Sequence, residues 1–129
     1  MAVPVVKSGE KHLLASHFGR APSFAVAEVE ESGYRVVEVF DNPHLAREHG
    51  RGAAVVAELA RRGVDAVLAL GVGYGAFYRL RDLGVKVYYV TPPASRKTPT
   101  LEEALDMLAS GEVKEAAGPR EGRGALGAH

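Results

Sequence analysis

One design occurs twice in this chain and constrains its fold more than any other feature. Residues 59–70 run from the end of a helical pattern through Gly63-Val64 into the apolar stretch Ala66–Leu70. Residues 80–91 repeat the plan, with Gly84-Val85 leading into Lys86–Val90. A glycine followed by an apolar residue is the signature of a left-handed helix C-cap. A continuous apolar run directly after it suits a strand covered on both faces. A strand–helix–strand crossover makes its two strands parallel. We read the repetition as α/β geometry used twice rather than as an internal duplication.

The rest of the chain fits around that unit. Ala2–Val6 predicts a short buried strand, followed by a long loop from Lys7 to Ser23. Phe24–Glu30 and Tyr34–Phe40, joined at Glu31-Ser32-Gly33, predict a hairpin. Ala53–Arg62 predicts a helix with Val55, Val56, Leu59 and Ala60 inward, and Ala76–Leu83 a second with Phe77, Leu80 and Leu83 inward. Thr100-Leu101-Glu102-Glu103 is a capping box opening a third, which buries Leu101, Ala104, Leu105 and Leu108. The expected fold is α/β, with a five-stranded mixed sheet and three helices. The domain spans residues 1–112, and 113–129 form a flexible tail.

Composition excludes several classes. The 129 residues suffice for one domain. Sixteen basic and sixteen acidic side chains cancel, so no global field attracts nucleic acid. Arg20, Arg47, Arg51 and Arg96 remain the positions to watch for a local basic patch. There is no cysteine, which excludes disulfides, thiolate nucleophiles and a cluster anchored on the protein's own thiolates. The apolar run Val67–Val72 is too short to span a membrane, and the first residues lack signal-peptide character. The expectation is a cytoplasmic protein with neither membrane nor nucleic-acid partners.

Topology then points to a site. If the first strand pairs with the hairpin, it runs parallel to the hairpin's second strand and to the two later strands. Four connections then leave one edge of the sheet: residues 7–23, 41–52, 71–75 and 91–99. Open α/β sheets bind ligands beyond the carboxyl ends of their parallel strands. His17, His44 and His49 lie in two of these loops, and the turn Gly71-Val72-Gly73-Tyr74-Gly75 forms a third.

Each residue carries two readings. His17 is a metal ligand or a loop-packing imidazole bonded to backbone. His44 and His49 are five apart, wrong for one helix face, so they converge only from a loop; the alternative is solvated histidines. Gly71–Gly75 either offers helix N-terminal amides to an anion or lets the helix pack close to the sheet. It lacks dinucleotide and phosphate-loop spacing. Catalytic signals are sparse: no strand carries paired carboxylates for two-metal chemistry, and no carboxylate is placed to orient His17. The expectation is a binding protein and not an enzyme.

The segment Ser16-His17-Phe18-Gly19-Arg20-Ala21-Pro22 resembles the S-x-H-F-G-R-A-like loop of the dinitrogenase iron–molybdenum cofactor biosynthesis family. Asn42-Pro43-His44 with Glu48-His49-Gly50 and Gly52 resembles its N-P-H…H-G-x-G stretch. Gly63-Val64-Asp65-Ala66-Val67 with Gly71-Val72-Gly73, then Gly84–Tyr88 and Thr100–Ala104, complete the similarity from about Val3 to Gly111. The resemblance implies a ribonuclease-H-like three-layer α/β/α fold without nuclease activity. It implies a nitrogen-fixation-related, non-catalytic carrier of an iron–sulfur or iron–molybdenum cluster or its precursor, exchanging that cargo with cofactor-biosynthesis or acceptor proteins. His17 would be the principal metal ligand, with His44 and His49 as further ligands or supporting groups. Phe18, Gly19, Arg20, Gly71, Gly73 and Gly75 would complete the cofactor-binding set. The alternative is an enzyme or sensor that binds phosphate or carboxylate through Gly71–Gly75.

Overall fold

The computed structural model describes residues 1–92 and 98–121. Its strands are β1 (Ala2–Ser8), β2 (Lys11–Leu14), β3 (Ser23–Glu30), β4 (Gly33–Asp41), β5 (Ala66–Ala69), β6 (Lys86–Tyr89) and β7 (Lys114–Glu115). They form one mixed sheet in the order β4-β3-β1-β5-β6-β7, with β2 paired to β1. β1 runs parallel to β5, and β5 to β6, while β3 is antiparallel to both β1 and β4. β1, β4, β5 and β6 therefore point the same way, and the loops that follow them leave one edge, as the sequence predicts.

Helices α1 (Arg51–Arg61) and α2 (Tyr74–Asp82) cover one face, and α3 (Leu101–Ala109) covers the other. Strand alternation sorts the apolar residues between the two layers. Val67 and Ala69 join Val55, Leu59, Phe77 and Leu80 on the α1/α2 side. Leu68 and Leu70 join Val3, Val5, Leu101 and Leu105 on the α3 side. The run 66–70 is apolar throughout because both faces of its strand are buried. This is the expected three-layer α/β/α arrangement.

Both Gly-Val caps form. At the end of α1, Gly63 has φ +78° and Val64 N donates to Leu59 O. At the end of α2, Gly84 has φ +78° and Val85 N donates to Leu80 O. These are Schellman closures, and each returns the chain directly into a strand.

Four expectations need revision, the simplest being Ala60, which is exposed on α1 and not inward. Residues 7–23 are not all loop, because β1 continues to Ser8 and turns at Gly9 (φ +63°) into β2. Leu14 anchors β2 by burial and by donating its amide to Pro99 O. Leu83 is not inward but 57% exposed, since α2 ends at Asp82 and the cap swings it to the surface. The described part of the expected tail is docked: β7 pairs with β6, and Arg120 bridges to Val72. The sheet thus has two strands beyond the five anticipated. Arg96 and residues 122–129 lie outside the described residues.

β1 has a divided edge. One side pairs with β3 from Ala2 to Val5. The other pairs with β5 at Ala2 and with β2 from Val5 to Ser8. Pro4, which has no amide hydrogen to give a ladder, lies where that side changes partner, and its carbonyl accepts from Ala15 N at 2.9 Å. The strand order also reverses at β1, where open α/β sheets place their ligands.

Candidate functional site

A cavity of about 440 Å³ lies at that edge. Its wall includes His17, Phe18, Gly19 and Arg20 from the loop after β2, Gly71 and Gly73 from the turn after β5, and Gly75 from the first turn of α2. Seven of the nine sequence-predicted site residues therefore line one space. Its volume lies within the usual range for small-ligand pockets.

Three further parts of the chain complete the wall. Arg51 and Gly52 come from the start of α1, Tyr74 and Ala76 from the start of α2, and Arg120 and Glu121 from the C-terminal segment. Both helices thus point their N-termini at the cavity. Neither has a side-chain cap or an acidic residue in its first turn. The first-turn amides have no intrahelical partner, and each helix end carries about half a positive charge. Gly50 (φ +70°) turns the chain into α1, so that Gly52 approaches both Gly19 and Ala76.

The loop residues are held in place by buried bonds. Phe18 is buried and packs edge-on against Phe24 at 5.6 Å, so it ties the cavity to the core. Asn42 is the chain's single asparagine and is buried. Its Nδ2 donates to Gly19 O at 3.2 Å and Ala21 O at 2.9 Å, and its Oδ1 accepts from His44 N at 2.9 Å. One side chain thereby clips the histidine-17 loop to the loop that leads into α1.

His17 is exposed at the rim and makes no hydrogen bond or ion pair among the described residues. Arg20 is exposed beside it. Arg51 is fixed by Nη2 donating to Leu45 O at 3.3 Å and Arg47 O at 2.5 Å. Its Nε is buried with no partner among the described residues.

His44 and His49 do not join His17 in the cavity wall. Arg47 Nε donates to His44 Nδ1 at 3.3 Å, which leaves the proton on Nε2 to donate to Glu58 Oε1 at 3.3 Å. Both ring nitrogens are engaged, and the ring serves to pin its loop to α1. His49 is exposed in the same loop. Among the described residues, no group of three His, Cys, Asp or Glu side chains is placed to hold a metal ion. The expected donor trio of His17, His44 and His49 is not assembled.

Glu58 gathers charge on the far side of α1. Burial raises its pKa, but hydrogen bonds from Arg62, Arg61 and His44 outweigh that effect and hold it below the ordinary carboxylate value. Arg62 also stacks over Phe40, 3.6 Å from the ring centre.

Arg120 is the residue that sequence reasoning missed most completely. Its guanidinium donates to Leu70 O at 2.8 Å, Val90 O at 2.8 Å and Thr91 Oγ1 at 3.0 Å, and it lies 4.3 Å from the centre of the Tyr89 ring. Burial pulls its pKa below the ordinary arginine value. It still stays protonated near neutral pH.

The arrangement is a small cavity at the switch point of an α/β sheet, ringed mainly by cationic and amide donors, with the Glu121 carboxylate also in its wall. The family described as dinitrogenase iron-molybdenum cofactor matches residues 1–111, and the chain belongs to it. Among solved structures, the apo form of the orange protein from Desulfovibrio gigas is 30% identical, with TM-score 0.76 over 93% of this chain and 94% of that one. A candidate NifB protein from Thermotoga is 32% identical, with TM-score 0.67 over 88% and 90% of the two chains. An uncharacterised protein of Methanocaldococcus jannaschii is 24% identical over 115 residues, 89% of each chain. This is a small cofactor-related α/β protein, and no helix among its described residues is long and apolar enough to cross a membrane.

Proposed function

We propose that the protein is a non-catalytic carrier that holds an anionic metal–sulfide cluster, of iron–sulfur or iron–molybdenum type, or its precursor. The supporting observation is the convergence of two uncapped helix N-termini with Arg20, Arg51 and Arg120 on one cavity. With no cysteine in the chain, the cargo brings its own sulfides. The first-turn amides and guanidinium groups donate to those sulfides or to an organic acid on the cluster. His17 supplies one neutral imidazole to a metal at the rim, where it has no competing partner among the described residues. A single protein ligand suits cargo that must leave again. His44 acts through its loop, by holding against α1 the backbone whose Leu45 and Arg47 carbonyls fix the Arg51 guanidinium. The carrier unit comprises the expected domain 1–112 together with the docked residues up to 121, and it works in the cytoplasm with cofactor-biosynthesis or acceptor proteins as partners.

The same donors suit phosphate or carboxylate, which supports the reading as a small-molecule enzyme or sensor. Anaerobic titration with a synthetic iron–sulfur thiolate anion separates the two. The carrier is expected to take up about one cluster per chain, with a charge-transfer spectrum, and His17→Ala to weaken uptake about tenfold, or about 1.4 kcal/mol. Equal uptake by His17→Ala would remove His17 from the site. No uptake by wild type, with melting raised instead by phosphate or small carboxylates, would favour the alternative.

A further inference from the structure

The matched family segment ends at residue 111, yet the cavity wall does not. Residues 112–121 run along the edge of β6 and finish at the carboxyl ends of β5 and β6. Their sheet contact is short: β7 pairs only Lys114 with Tyr89 and Glu115 with Tyr88, and Ala116 N donates to Val87 O at 2.7 Å. The segment adds little to the apolar layers, with Val113 and Ala116 packed against them while only partly buried.

Apart from Glu112, whose amide closes the end of α3 by donating to Met107 O at 2.8 Å, polar contacts around one cation do the rest. Arg120 N donates to Val72 O at 3.0 Å, and its guanidinium reaches carbonyls at the ends of both β5 and β6. Tyr89 lies beneath it and donates its hydroxyl to Gly118 O at 2.7 Å. The three oxygens that receive the guanidinium's hydrogen bonds are neutral, so none of them cancels its charge. A segment with little buried apolar area and few backbone bonds opens locally at low cost.

We infer that Arg120 makes this segment a ligand-coupled strap: an anion in the cavity holds residues 112–121 down, and the docked segment in turn retains the anion. Linkage requires the effect to be mutual. Undocking removes a wall, and with it the Arg120 cation and the neighbouring Glu121 carboxylate, in one motion, which gives a carrier a way to release its cargo. The inference rests on the anion-binding reading of the cavity and extends it by naming what governs release.

The test loads wild-type, Arg120→Gln and Arg120→Lys proteins with two probes, inorganic phosphate and a synthetic iron–sulfur thiolate anion. Amide exchange over residues 112–121 and the rate of probe release are then followed. Loading is expected to slow exchange in the wild type about tenfold, and Arg120→Gln to lose that slowing and release the probe about tenfold faster. Arg120→Lys keeps the charge but not the three-way bridge, so it too should release faster than wild type. Equal release from all three proteins, or loading without slower exchange, overturns the coupling. If the wild type binds phosphate but no cluster, the carrier reading fails and the phosphate data still decide the coupling. If it binds neither probe, both fail.

Discussion

The N-terminus of α3 and those of α1 and α2 solve the same problem in opposite ways. At α3, Thr100 Oγ1 accepts from Glu103 N at 3.1 Å and Glu103 Oε1 accepts from Thr100 N at 2.8 Å, with Glu102 adding a second negative charge to the first turn. That helix end is satisfied by its own sequence. At α1 and α2 the caps are glycines, which offer no side chain to the amides, and no carboxylate stands in the first turn. At α1 the left-handed φ of Gly50 itself favours glycine, but at α2 Gly73 has an ordinary extended backbone, where serine or aspartate would stabilise the end better. The two unsatisfied ends are the two that face the cavity. Under the carrier proposal, these are the ends that donate to the anionic cargo.

The contrast can be attacked from either side. Asn42→Ala is expected to cost the most. It leaves the carbonyls of Gly19 and Ala21 without their side-chain donor, so we expect a loss of about 2–3 kcal/mol in urea unfolding. Anion binding should fall with it, while amide exchange in α3 stays slow relative to global unfolding. Gly73→Asp comes next. The site accepts a Cβ, with no atom within 4 Å of it. Aspartate would cap α2 and place a negative charge at the cavity. Stability should rise by a few tenths of a kcal/mol, while affinity for phosphate, read by calorimetry, should drop about tenfold, or about 1.4 kcal/mol. Unchanged affinity would mean that the open end of α2 is not reserved for an anion. Thr100→Ala has the smallest effect, a loss of about 1 kcal/mol in thermal or urea unfolding. Ligand affinity should not change, because α3 lies on the opposite face of the sheet.

The sequence disclosed the fold through main-chain punctuation. Gly63-Val64 and Gly84-Val85 fixed two helix ends, and with them the parallel strands and the edge where the loops collect. The glycine turn and the loop around His17 were legible for the same reason, since both sit at predictable strand ends. His44 was not. Its partner Glu58 is 14 residues away on a helix, and no spacing rule announces that ring as structural. Asn42 is visible in the sequence only as part of a motif, and its clip is hidden because its acceptors are backbone carbonyls, which leave no mark in a residue pattern. Arg120 escaped for the same reason, in a segment without periodicity. β2 was hidden because Lys11-His12-Leu13-Leu14 carries little alternation and gains its place from β1 and from Pro99.

The divided edge of β1 has a consequence for how such a protein changes over time. Beside it, the cavity wall is built of loops and helix starts, not of strand side chains. If the carrier proposal holds, substitutions at the mouth alter which ligand is accepted while the supporting layers stay as they are. Diversification within this architecture should accumulate at the lip of the opening and spare the fork beneath it.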